Sequence, residues 1–259
     1  MRIAAWERLY FDLPNHLRHW RTDVAHLELF SNSDVGNALT WIKTNRPNLF
    51  NQYPDLSPGE ITALNYYTTP EGNQINYWLR GDGVLPDVEW SPEHADRYLR
   101  FLDGAFAKLP QYSDSPTLLR GEIRAFSEMN NWVAGSRLDY PSFISTAKDA
   151  TGDFFDAGGF SHNIIININN SGSVKAINME PFSQLDTELE VLLFKGKTLE
   201  LQGPPTLRRY PDENKVDEWM NNSFLSGELD AVGNPILINP NYGTPDADKI
   251  LMIDVNVID

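Results

Sequence analysis

The chain has 259 residues, no cysteine, and 36 acidic against 21 basic side chains, a formal charge of −15. That charge repels phosphate backbones and anionic lipid surfaces, so nucleic-acid binding through a basic face is disfavoured. The lack of Cys removes thiolate catalysis, Cys-ligated zinc, iron–sulfur clusters and disulfides, while 41% hydrophobic and 12% aromatic residues describe an ordinary folded globule.

At the amino end, MRIAAWERLYFDLP, the apolar run is cut by Glu7 and Arg8, too soon for the apolar core of a secretory signal. No later run approaches the roughly 18 apolar residues that a bilayer crossing needs, so a soluble chain with no membrane span is expected. Residues 16–30 and 35–42 carry Leu17, Trp20, Val24, Leu27 and then Val35, Leu39, Ile42 at three- and four-residue spacing, which predicts amphipathic helices. Ser57-Pro58-Gly59-Glu60 predicts a sharper helix start: a Ser cap, Pro at the first helical position and Glu three residues after the Ser. Ser91-Pro92 repeats that grammar. The helix it opens carries Ala95, Tyr98, Leu99, Leu102, Ala105, Phe106 and Leu109 on one face, and Pro110 closes it.

From Pro116 onward short β-type runs alternate with Gly, Asn, Asp and Pro clusters. Strands are predicted at 117–123, 143–146, 164–169, 174–179, 189–196, 198–202 and 249–258, with a turn at Asn169-Asn170-Ser171-Gly172. Helices first and strands after, without βαβ alternation, give an α+β fold. Residues 203–248 hold many turn formers and one helix near Val216 to Phe224, longer than an ordinary connection, and read as an elaborated hairpin or a partner-contacting insert.

Three short features could carry chemistry. Glu188 and Glu190 stand at i and i+2 entering a β run, so their carboxylates share one strand face. Such a pair can divide the work on a glycosidic bond, one stabilising positive charge and the other activating a nucleophile. By itself the pair also fits a solvated strand face. Arg120 lies inside an apolar run and is followed by Gly121: an Arg there needs an anion, and a Gly admits close approach of a ligand, although an ordinary ion pair answers the same need. Ser145 and Thr146 place hydroxyls at the end of a third short run. His16 and His19 lack a third ligand pattern, so no metal site is expected, and the GDG at Gly81 and the DAGG at Asp156 lack phosphate-loop or Rossmann spacing.

Taken in order, Arg120, then Ser145-Thr146-Ala147, then Glu188-Leu189-Glu190 resembles the R-S-E signature of the mono-ADP-ribosyltransferases, closest to the arginine-modifying, ExE-bearing bacterial toxins and effectors. Leu64 to Gly81 resembles the family's helix pair, Phe182-Ser183 its acceptor-recognition turn, and Glu190-Val191-Leu192-Leu193 its EVL strand. Ala147 departs from the second Ser of many members. The resemblance implies N-terminal helices followed by a mixed, mainly antiparallel β-sandwich core of the ADP-ribosyltransferase type. It implies NAD as substrate and transfer of ADP-ribose to an arginine of a target protein. Arg120 would hold the diphosphate, the Gly121 main chain the nicotinamide carboxamide, and Ser145 would orient Glu190. Glu190 would stabilise the developing ribosyl cation, and Glu188 would activate the acceptor. Thr146 joins the dinucleotide contacts, and Phe154 and Phe155 are candidates to stack on nicotinamide.

The expected organisation is a helical extension at 1–55 and a catalytic domain at 56–259 with an insert at 203–248, target choice residing in the extension and the insert. The expected setting is a soluble bacterial toxin or effector, exported without a signal peptide and acting in a target-cell cytosol, with no nucleic-acid or membrane partner; an activating or immunity partner is left open. Two other functions compete: an NAD glycohydrolase toxin, in which water replaces the acceptor, and a silent partner-binding module.

Overall fold

The structure is a computed structural model that describes residues 32–69, 72, 74–81, 91–149, 162–170, 174–184, 189–213, 216–221, 225–229, 235–237, 239, 241 and 243–258. The chain divides into two compact units, 1–74 with 84–108, and 75–83 with 109–259. The helix expected at 16–30 lies outside the described residues; that expected at 35–42 is contained in Asn32–Asn45.

The first unit is helical. Ser57 caps the Pro58–Tyr67 helix through a reciprocal box, its hydroxyl accepting from Glu60 N at 3.2 Å while Glu60 Oε2 accepts from Ser57 N at 2.6 Å. A cap of this kind stabilises a helix by about 1 kcal/mol. The same buried carboxylate takes Lys108 Nζ at 2.8 Å, tying this helix to the end of the Pro92–Lys108 helix, and Tyr98 OH donates to Ala63 O between them. Leu64, Leu102, Ala105 and Phe106 are buried, as their periodicity predicts.

The second unit is built on strands β1 (Thr117–Glu122), β2 (Arg137–Tyr140), β3 (Ile144–Ala147), β4 (Ile164–Asn169), β5 (Ala176–Asn178), β6 (Glu190–Leu193), β7 (Lys197–Leu201), β8 (Thr206–Arg209), β9 (Leu225–Leu229), β10 (Pro235–Leu237) and β11 (Lys249–Ile258). Among the described residues, nine of them form one sheet in the order β2-β7-β11-β4-β1-β3-β6-β5, with β8 paired to β11. Only β4 and β11 run parallel among the recorded pairs, so the sheet is mixed and mainly antiparallel as expected.

One join decides where a site can form. β1 and β3 are registered at a single pair, Leu119↔Ala147, and then part, while β1–β4 and β3–β6 pair along their lengths. The sheet is thereby split into two wings, and their facing side chains make one core: Leu118, Ile166, Ile168 and Val255 from one wing, Ile144, Val191 and Leu193 from the other. The sheet forks at this join.

Several elements were not predicted. β2 alternates, burying Leu138 and Tyr140, but over only four residues, while β8 is short and largely exposed; each becomes a strand through its neighbour, β7 or β11. The antiparallel β9–β10 pair falls in the segment read as an elaborated hairpin or an insert, and the short Leu49–Gln52 and Phe126–Met129 helices had no predicted counterpart. The helix expected near Val216 is Val216–Asn221. Within 203–248, β8 joins the sheet, and Tyr210, Val216 and Trp219 bury themselves with Ile165, Ile250 and Met252.

Candidate active site

Strand alternation sorts β1 into two faces. Leu118, Arg120 and Glu122 face the space between the wings; Leu119 and Gly121 face the other side. Arg120 sits at the fork. Its Nε donates to Glu122 Oε1 and its Nη1 to the main-chain oxygen of Ser145 at 2.8 Å, with the guanidinium 5.6 Å from the Tyr140 ring centre. The arginine expected at the dinucleotide therefore bridges the two strands where they separate.

Glu122 is the organiser of this cluster. Oε1 takes Arg120 and the Tyr140 hydroxyl (2.9 Å), and Oε2 takes Arg124 Nε (2.7 Å). Its side chain is 8% exposed, against 23% for Arg120 and 28% for Arg124. Burial pushes the carboxyl upward, but the charges and hydrogen bonds of the two arginines outweigh it and hold it below the usual carboxylate range. Burial and the Glu122 charge together push the Tyr140 phenol up. Glu122, Arg124 and Tyr140 were missed in sequence. The alternation Arg-x-Glu-x-Arg at 120, 122 and 124 is the signal that could have found two of them.

Gly121 has a neighbour that sequence did not disclose. A Cβ there would lie 3.0 Å from Cβ and Cγ of His162, so the imidazole fills the room that the glycine leaves. The room attributed to ligand approach is on this side taken by protein.

Ser145 and Glu190 come together on neighbouring strands. Ser145 is registered with Leu192 and Ala147 with Glu190, so Ser145 and Glu190 belong to the same face, offset by one alternation. Both are partly exposed. Met179 N donates to Glu190 O and Lys148 N to Leu189 O, which fixes the main chain on both sides of this carboxylate. The Met179–Ser183 turn that follows β5 buries Phe182 and Ser183 beside it. Thr146 lies elsewhere: it is fully buried and its hydroxyl donates to Val191 O at 2.6 Å, a bond between adjacent strands on the core face. From the Gln74–Arg80 helix, buried Asn76 accepts the Phe143 N–H at 3.1 Å and so anchors the entry to β3. Glu188, Phe154 and Phe155 lie outside the described residues.

The arrangement offers a partly exposed guanidinium for an anion, and on the neighbouring strands β3 and β6 a hydroxyl and a carboxylate that share one face. Among the described residues no helix is long and apolar enough to cross a membrane.

Solved structures share this fold. The Clostridium limosum C3 exoenzyme superposes with a TM-score of 0.50 at 18% identity over 87% of this chain and 95% of that one. Plx2a, an ADP-ribosyltransferase toxin from Paenibacillus larvae, gives 0.51 at 16% over 87% and 97%. BECa, the ADP-ribosylating component of a C. perfringens binary enterotoxin, solved with NADH, gives 0.52 at 16% over 87% of this chain and 48% of that one. No curated protein matches the sequence. The family model described as ADP-ribosyltransferase exoenzyme matches residues 40–223, a stretch that holds Arg120, Ser145 and Glu190 together with both helices of the pair before them; the chain belongs to the ADP-ribosyltransferase exoenzyme family.

Proposed function

We propose that this enzyme transfers ADP-ribose from NAD to an arginine side chain of a target protein, as a toxin delivered into another cell. The observation that supports it most is the adjacency of the Arg120, Ser145 and Glu190 strands at the fork of the sheet. Arg120 binds the diphosphate through its guanidinium, and the Gly121 main chain holds the nicotinamide carboxamide. Ser145 orients Glu190. As the bond from ribose C1′ to nicotinamide nitrogen breaks, its electron pair leaves with nicotinamide, and Glu190 stabilises the positive charge that grows on the ribose. Glu188 aligns the acceptor guanidinium and takes the proton that it loses as its nitrogen bonds to C1′. An arginine needs such a base, because its own pKa exceeds about 12.

The test is incubation of the protein and labelled NAD with bacterial and eukaryotic lysates, followed by mapping of the modified side chain. Label on arginine supports the proposal. NAD consumption with no labelled protein replaces it by a glycohydrolase, and label on another residue type refutes the role given to Glu188.

A further inference from the structure

Resting on that reading of the Gly121 main chain, we propose that His162 is a positioning residue of the reaction: clamped by Tyr210 and Trp219, its ring sets where Gly121 stands at the nicotinamide end of the site. The contact is intimate, 3.0 Å from the Gly121 Cβ position to two carbons of His162 and 3.2 Å to Nδ1. Any side chain at 121 would press on the ring and need it to give by a few tenths of an ångström, and loss of the ring would leave Gly121 without a wall.

The ring is itself held from behind. It stacks on Trp219 (centres 5.8 Å apart, planes at 8°) and on Tyr210 (5.9 Å, 26°), and those two stack on each other at 5.1 Å. The Tyr210 hydroxyl lies 3.1 Å from Nε2. His162, Tyr210 and Trp219 are almost fully buried, so the three rings have one arrangement available. Burial pushes the His162 pKa down to about 3; the ring is neutral at physiological pH and adds no cation beside a site where positive charge must develop.

The next residue completes the grip. Asn163 N donates to Glu122 O at 2.9 Å, while its side-chain amide accepts from Arg124 N and donates to Arg124 O, both at 2.9 Å. Asn163 thus holds the main chain at Glu122 and Arg124, so the arginine cluster has its own support and His162 acts on Gly121 alone. Tyr210 and Trp219 come from the segment after Gln202, which this geometry makes a back wall of the nucleotide site.

A size exchange tests the proposal. Gly121→Ala, His162→Ala and the double variant are compared with the wild type for KM and kcat with NAD, and for inhibition by nicotinamide and by ADP-ribose. Overpacking at this contact raises the nicotinamide inhibition constant of Gly121→Ala by about tenfold or more. The double variant recovers most of that loss, because the alanine methyl then has the vacated space. ADP-ribose inhibition stays within about twofold throughout, since the displaced group lies at the nicotinamide end alone. A double variant no better than Gly121→Ala, or inhibition constants that rise together for both ligands, overturns it. Should His162→Ala fail to fold, Tyr210→Phe keeps the stack and removes only the hydroxyl; it weakens nicotinamide inhibition by about fivefold, and an unchanged constant overturns the proposal. A wild-type protein that neither binds nor cleaves NAD refutes the functional reading first, an outcome separate from a failed exchange in an active enzyme.

Discussion

The Arg120 guanidinium donates to the main-chain oxygen of Ser145, 2.8 Å away across the gap where β1 and β3 part. Arg120 is therefore oriented by backbone on one side and by the Glu122 carboxylate on the other.

Ser145→Ala should leave Arg120 in place and act on Glu190 alone, lowering kcat with NAD about tenfold or more while KM changes little. Arg120→Lys cannot serve a carbonyl and a carboxylate with one planar fork, and should raise KM for NAD about tenfold or more. Steady-state kinetics of the two variants check this; equal effects on KM and kcat in both would refute the separation.

Glu122→Gln leaves two arginines on a neutral amide. Breaking a buried pair costs 3–5 kcal/mol in general, and here about 3 kcal/mol, the low end, because both guanidinia remain partly in water. Urea denaturation measures the loss. Affinity for NAD should fall in the same variant, as Arg120 Nε exchanges a carboxylate for a neutral amide.

Glu190→Gln should eliminate transfer and NAD hydrolysis alike, since charge stabilisation is common to both, with losses of about 100-fold or more. Glu188→Gln should eliminate transfer to arginine and spare hydrolysis. Assays of labelled protein and of released nicotinamide separate the two; parallel loss in both variants would remove the division of labour.

Stability should decline on acidification in two windows. The His162 pKa is pushed from an unfolded value of 6.5 to about 3 by burial, so between those limits the unfolded chain takes up a proton that the fold refuses. Stability is complete above 6.5 and falls by up to about 1.4 kcal/mol per pH unit below it. Glu122, held low by Arg120 and Arg124 against the effect of burial, contributes fully above 4.5, and its contribution is lost as pH falls through its depressed folded value. Denaturant midpoints at pH 7 and pH 5 should differ in the wild type and differ less in His162→Phe; an equal difference would exclude the imidazole as the cause.

Legibility in the sequence followed locality. The Ser57 box, the Pro92–Lys108 helix and the β1, β3 and β6 runs are written in adjacent residues, through caps and alternation, and the strands that carry Arg120, Ser145 and Glu190 could be placed for the same reason. The clamp on Gly121 was not, because His162, Tyr210 and Trp219 meet it only through strands paired far apart in the chain, and no periodicity marks such a meeting. Thr146 shows the complementary limit. A Ser-Thr pair gives two hydroxyls without saying which is turned inward, and the register with Val191 turns Thr146 to the core.

β11 runs through the middle of the sheet, hydrogen-bonded to β4 on one side and to β7 and β8 on the other. During synthesis, β4 is made long before its parallel partner, and its open edge must wait for Lys249–Ile258 to arrive. Pairing at such sequence separation is slow, and unpaired strand edges invite association with other chains. A chain that lacks Lys249–Ile258 has an unfinished sheet, in which β4 keeps an open edge and β7 and β8 have lost the strand they share.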